Sequence, residues 1–296
     1  EDPHDQKLIL QNVPTHNNGT LSSMKEFVMR ALDTAQKRGA TYADARYVST
    51  ETQTITVKND VVESVTSHSD RGVGVRVIAN GAWGFASTGN MQTREMDIVA
   101  ANAVRIARAS SSVLRNPVDI GEPFSIVDTY RTPILKDPFQ IPVEHKVALL
   151  LNASAEMQRS NPAVKVAEAG IEIIKTTKIF ASTEGSYIEQ ELYETGCGIE
   201  ATAVGNEDVL NRSYPNSVGR HQGTEGWEFV ERYDLVGNAA RIGEEAAALL
   251  SAKPCPTGEL TVILDGSQTA LQVHESCGHP IELDRVLGSE AAFAGT

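Results

Sequence analysis

Near the end of the chain, Val273-His274-Glu275-Ser276-Cys277-Gly278-His279-Pro280 sets two histidines around an acid. Neutral imidazoles ligate zinc, and a carboxylate beside the metal can take a proton from the bound water. The common hydrolytic pattern, H-E-x-x-H, places its histidines four apart on a helix. Here the gap is five. On a regular α-helix the fourth residue on returns to within about 40° of the first, while the fifth lands about 140° away. His274 and His279 can therefore share a metal only if the backbone leaves α geometry, through a π-bulge or a helix that ends between them. Gly278 permits that departure, and Pro280 disfavours α geometry at His279. Spacing alone leaves a second reading open, a strand–helix corner carrying two unrelated histidines.

The elements that must position these groups are legible upstream. Leu260–Leu264 is a short apolar run that predicts a strand, Asp265-Gly266 signals a turn, and Ser267 is a candidate N-cap for a helix through Thr269 to Cys277. Cys277 could approach the same metal but reads better as a small buried residue. Glu282 and Asp284 follow the histidines. Either could orient a ligating imidazole or merely sit in a solvated turn, and Arg285 could pair with one of them.

The run from Ala252-Lys-Pro-Cys-Pro-Thr-Gly-Glu through His274-Glu-Ser-Cys-Gly-His279 to Glu282-Leu-Asp284-Arg285 resembles the TldD/PmbA family, also described as modulators of DNA gyrase. Tyr42-Ala-Asp-Ala-Arg46 and the strand-rich run to Gly84-Phe-Ala86 are similar to that family's N-terminal domain. The resemblance implies a zinc metallopeptidase with an H-E-x-x-x-H site, His274 and His279 as zinc ligands and Glu275 as general base. It implies a third ligand, a cysteine, beyond Thr296. It also implies peptide or unfolded-protein substrates, reached through a chamber between paired subunits, as a homodimer or as a heterodimer with a family paralogue. The family contains non-catalytic partner subunits too, and that role, or a binding role without hydrolysis, is the alternative.

Composition narrows the classes further. The 296 residues carry a formal net charge of −13, which disfavours binding nucleic acid by phosphate neutralisation. Three cysteines, Cys197, Cys255 and Cys277, form no disulfide framework and fit a reducing compartment. Cys255, between Pro254 and Pro256, reads as structural. No apolar run approaches the ~18 residues of a membrane span, and no signal-peptide pattern is evident. A cytoplasmic location is expected. The start at Glu1 leaves export of a processed form open.

The expected fold class is α+β: two helix-plus-antiparallel-sheet units, then the start of a β-rich C-terminal domain. Residues 1–20 read as a polar tail, with His4 and His16 solvated. Residues 21–116 form the first unit, opened by a helix with a Ser23/Glu26 capping box and a stop at Gly39. Short strands at Asp44–Val48, Thr54–Val57, Val61–Thr66 and Gly72–Ile78 follow, with an Asn80-Gly81 hairpin and a helix over Thr93–Ala109. Residues 117–142 hold five of the 12 prolines and read as an extended connection. Residues 143–253 form the second unit, with strands at Val164–Lys175, Lys178–Ser182, Ser186–Tyr193 and Gly198–Val204. Its last helix is capped by Asp234. The glycine-rich stretch Gly219–Glu228 is either a surface loop or a border of a peptide channel, with His221 its residue of interest. Residues 254–296 begin the third, metallopeptidase domain, truncated after its first strand and helix.

Overall fold

A computed structural model describes residues 21–216 and 221–288. The polar tail with His4 and His16, Gly219, and residues 289–296 lie outside the described residues. The chain runs α1 (Leu21–Lys37), β1 (Tyr42–Lys58), β2 (Val61–Ala79), β3 (Ala82–Thr88) and α2 (Thr93–Ser110). Then come β4 (Val127–Arg131), α3 (Val143–Ser160), β5 (Val164–Ser182), β6 (Tyr187–Val204), β7 (Val209–Tyr214) and β8 (His221–Gly223). Four helices follow: α4 (Glu228–Tyr233), α5 (Leu235–Leu249), α6 (Gly266–Val273) and α7 (Leu283–Val286).

The α+β class holds, but the strands join one eight-stranded sheet in the order β3-β2-β1-β5-β6-β4, with β7 and β8 also on β6. All neighbours are antiparallel except β4, which runs parallel to β6. Pairs of strands expected as separate pieces are continuous. The polar middle of β1, Ser49–Gln53, breaks the apolar alternation that marks a strand in sequence. It pairs without interruption with β2 and β5. Threonine is a good strand former, and these positions need only ladder partners to stay extended. β4 lies within the proline-rich connection and is wholly exposed; its partner strand, not its own pattern, makes it a strand.

The turns follow their chemistry. Asn59 and Asp60, and Asn80 and Gly81, all take positive φ, the conformation of type I′ hairpins. Gly39 leaves α1 at φ +89 and donates to the Gln36 carbonyl. The helix begins at Leu21, so Ser23 and Glu26 lie inside its first turns and are not its cap. Asp234 caps α5 as expected, accepting from the Gly237 amide.

The apolar positions of alternate sheet residues fall on one face, and every packed helix sits there. α1 and α2 cover Ala43, Ala45, Tyr47, Val73, Val75, Val77 and Ile179. α3, α4 and α5 cover Ile171, Ile173, Cys197, Ile199 and Ala201 from the second unit, together with Ile55 and Val57 from the first. β1 thus contributes to both cores.

Glu228 fastens the connection to the second core. Its carboxylate accepts the amides of Leu135, Lys136 and Gly226 at 2.9–3.0 Å. Burial opposes the charge, but the backbone amides outweigh it and hold the carboxyl below the usual glutamate range. No helix among the described residues is long and apolar enough to cross a membrane.

Candidate metal centre

The candidate centre is built at the end of α6. Asp265, not Ser267, is the N-cap: its carboxylate accepts from the Gln268 amide at 2.8 Å and from the Ser267 hydroxyl at 2.9 Å. Those bonds lower its pKa, the Gln268 amide first. An aspartate there also suits the positive end of the helix.

After Val273 the α-helix widens into a π-turn over His274–Gly278, then tightens to a 3₁₀ turn over His279–Ile281. This is the π solution to the five-residue gap. The His279 amide donates to the His274 carbonyl, a bond across five residues. The wider turn brings the sixth residue back over the first, so both imidazoles project together, with ring centroids 4.5 Å apart.

Two expectations about the backbone are corrected. Gly278 sits at φ −60, ψ −60, and an added Cβ would find only ordinary contacts, so the turn does not use glycine's freedom. His279 keeps α geometry at φ −61, ψ −43 despite Pro280. Proline is tolerated at the start of the 3₁₀ turn, where its missing N–H would lack a partner anyway.

One donor atom from each of His274, Glu275 and His279 can be drawn within a 4.8 Å span. Zinc bonds of about 2.0–2.1 Å in tetrahedral geometry place ligand atoms about 3.3 Å apart. The remaining closure of about 1.5 Å is within reach of side-chain rotation. The side chains are free to turn: His274 is 62% exposed and Glu275 50%.

His279 is the fixed member. Its Nδ1 lies 2.7 Å from Glu282 Oε1, so a metal would be held through Nε2. Arg285 then holds Glu282 at 3.1 Å and donates to the His279 carbonyl at 2.8 Å. A carboxylate on the far nitrogen of a ligating histidine fixes its tautomer and raises its basicity. Asp284 plays no such part; it accepts from the Arg285 amide.

Other expectations resolve differently. Cys277 is exposed and stands outside the donor cluster, and Cys255 is exposed as well. Leu260–Leu264 forms no strand, with Ile263 97% exposed. A lone extended segment cannot satisfy its own backbone groups, and none of the described strands pairs with it. His221 lies on β8 at the edge of β6, stacked on Phe229 at 5.8 Å and against Tyr233 at 5.7 Å. The Glu282–His279 contact is the feature that sequence reasoning left undecided. Their three-residue spacing was its signal.

A one-faced α+β sheet, followed by a helix whose π-turn gathers two imidazoles and a carboxylate, defines the class of protein. Residues 43–107 match the model of PmbA/TldA metallopeptidase domain 1, and residues 136–253 match that of the PmbA/TldA metallopeptidase central domain. The chain belongs to the PmbA/TldD metallopeptidase family. It is 28% identical over 252 residues to a metalloprotease of Methanocaldococcus jannaschii, covering 85% of this chain and 54% of that one. It is 29% identical over 254 residues to a metalloprotease of Methanothermobacter thermautotrophicus, covering 86% and 53%. The chain thus spans about half the length of these relatives. Among solved structures, one from Bacteroides thetaiotaomicron, described as a candidate modulator of DNA gyrase, shares the fold. Its TM-score is 0.66 at 13% identity, over 91% of this chain and 60% of the other. The description of the family as metallopeptidases implies a metal cofactor.

Proposed function

We propose that His274, Glu275 and His279 form part of a zinc-dependent peptide hydrolase site acting on peptides or unfolded protein segments. The π-turn carries this reading, because it turns an unpromising spacing into a convergent donor set. His274 and His279 would hold the metal through imidazole nitrogen, with a cysteine beyond Thr296 as the third ligand implied by the family resemblance. A zinc ion so bound supplies Lewis acidity toward the scissile carbonyl and makes a coordinated water acidic near neutral pH.

The chain's own groups do the rest. Glu282 keeps His279 in one tautomer, and Arg285 keeps Glu282 in place. Glu275 accepts the proton of the attacking water on its carboxylate and later delivers it to the leaving amine. Its position next to His274, with Oε1 4.0 Å from the imidazole Nε2, suits a base beside the metal rather than a distant one. The resemblance extends the proposal to paired subunits, and the three cysteines without a disulfide framework extend it to a cytoplasmic location.

The deciding experiment is elemental analysis of the full-length protein beside a His274→Ala variant, with peptide cleavage assayed in both. About one zinc per chain, lost in the variant together with chelator-sensitive cleavage, is the expected result. Absence of zinc after reconstitution would overturn the reading and favour a non-catalytic partner subunit.

A further inference from the structure

The two helical layers leave the middle of their shared sheet face to polar side chains. Tyr47 and Ile179 belong to one core, Ile55 and Ile173 to the other. Between them, on the same alternation, lie Ser49 and Glu51 of β1 and Lys175 and Thr177 of β5. With Glu191 of β6 and Arg131 of β4 they line a cavity of about 210 Å³. Ligand sites favour such clefts between units, and this one is below the ~300–1,000 Å³ that suits drug-sized ligands.

The charges in this cleft are only partly matched to one another. Glu51 lies directly opposite Lys175 in the ladder. Lys175 nevertheless turns to β6, where its Nζ is 3.3 Å from Glu191 Oε2 and 5.1 Å from the Tyr193 ring centroid. Glu51 is left half-buried with no hydrogen bond or ion pair among the described residues. Arg131 is likewise unpaired at the opposite wall, although its backbone lies beside Glu191. The cleft therefore offers one free carboxylate on β1 and one free guanidinium on β4, and the hydroxyls of Ser49 and Thr177 and the ammonium of Lys178 line it as well.

We infer that this cleft is a binding site for short zwitterionic peptides, with the free amino terminus on Glu51 and the free carboxylate on Arg131. Spacing selects the length. β1 and β4 are three strand intervals apart, about 14 Å at ~4.8 Å each, and both side chains line the same cavity. The adjacent charges of a single amino acid fall short of bridging it. Two or three residues, at ~3.3–3.6 Å each, cover about 7–11 Å of it, and a hydrogen bond of about 2.9 Å at each end together with the length of the two protein side chains closes the remainder. Arginine suits the carboxylate end because its planar fork binds both oxygens. The inference stands on residues remote in sequence from the metal centre and does not rest on the hydrolytic reading.

Calorimetric titration with the dipeptide Ala-Leu, its N-acetyl form and its C-terminal amide tests the site directly. The titration uses the full-length protein and its His274→Ala/His279→Ala variant, in which the metal centre cannot contribute. Free Ala-Leu is expected to bind both proteins equally, and each capped form at least tenfold more weakly. Glu51→Gln should erase only the sensitivity to acetylation, and Arg131→Gln only the sensitivity to amidation. Arg131 sits on a wholly exposed strand, so its variant folds even if the Glu51 variant does not; circular dichroism checks both. Equal binding of the three forms, no saturable binding in the millimolar range, or loss of binding in the histidine variant would each overturn the assignment.

Discussion

The carbonyl of His274 accepts the amide of His279, five residues on, and the two imidazoles meet edge to face with centroids 4.5 Å apart. One backbone bond thus does what side-chain spacing on a regular helix cannot. The π-turn takes up one extra residue without ending the helix, so the two ring positions survive a gap that an α-helix would splay apart.

If Glu275 is the base, Glu275→Gln should leave the metal in place and remove the proton acceptor. Hydrolysis is expected to fall by about 10²–10⁴-fold. Zinc content should match the parent protein. A Gln variant with undiminished metal-dependent cleavage would remove Glu275 from the mechanism.

Glu282→Gln addresses the support behind His279. The amide keeps the shape but loses the charge that holds the imidazole tautomer. Metal affinity is expected to drop by about 10–100-fold. Competition with a chromophoric chelator measures it, and an Asp284→Asn variant, whose side chain accepts from the Arg285 amide and not from either histidine, should behave like the parent.

Lys146 gives the fold a dependence on alkaline pH. Its side chain is fully buried, donates to Gln53 Oε1 and lies 5.9 Å from the Trp227 ring centroid. Burial pushes its pKa down from 10.5 to about 8, with Asp137 opposing only in part. Between these values the unfolded chain holds a proton that the folded chain has released, so stability rises with pH across that window. The rise is of order 3 kcal/mol at about 1.4 kcal/mol per unit. It should be absent from Lys146→Met in parallel denaturant melts between pH 8 and pH 10.5. A parent and variant with the same pH profile would contradict the assignment.

Gly84 marks where β3 touches α2. A Cβ there would lie 2.9 Å from the Ala107 Cβ and closer still to the Ala103 carbonyl oxygen. Both are parts of a packed helix and cannot yield cheaply. Gly84→Ala should cost about 3 kcal/mol or more, read as a lower denaturation midpoint. Gly121→Ala, at an open position, should cost far less; its positive φ adds only backbone strain.

Hydrophobic periodicity and turn residues made most elements legible. Asn80-Gly81 and the Asp234 cap were readable because each is a local contract between a side chain and its own backbone. The long strands were not, because what keeps Ser49–Gln53 extended is β2 on one side and β5 on the other. The same holds for β4. Leu260–Leu264 shows the converse, an apolar run with strand composition and no partner among the described strands. At the candidate centre the residue types were readable, while the helix form that unites them, and Glu282's choice of His279, depended on backbone geometry.

The shared sheet makes the seam between the two matched family segments a line on the sequence and not a cleavage plane in the protein. Ile55 and Val57 fill the second core, while Ile179 and Ala181 fill the first. Each half therefore carries part of the other's interior, and β1 cannot find β5 until more than a hundred intervening residues have been made. A chain emerging from the ribosome must hold its first half open-edged until the second arrives. Its assembly is correspondingly slow, with the exposed edge of β1 as the interval's weak point.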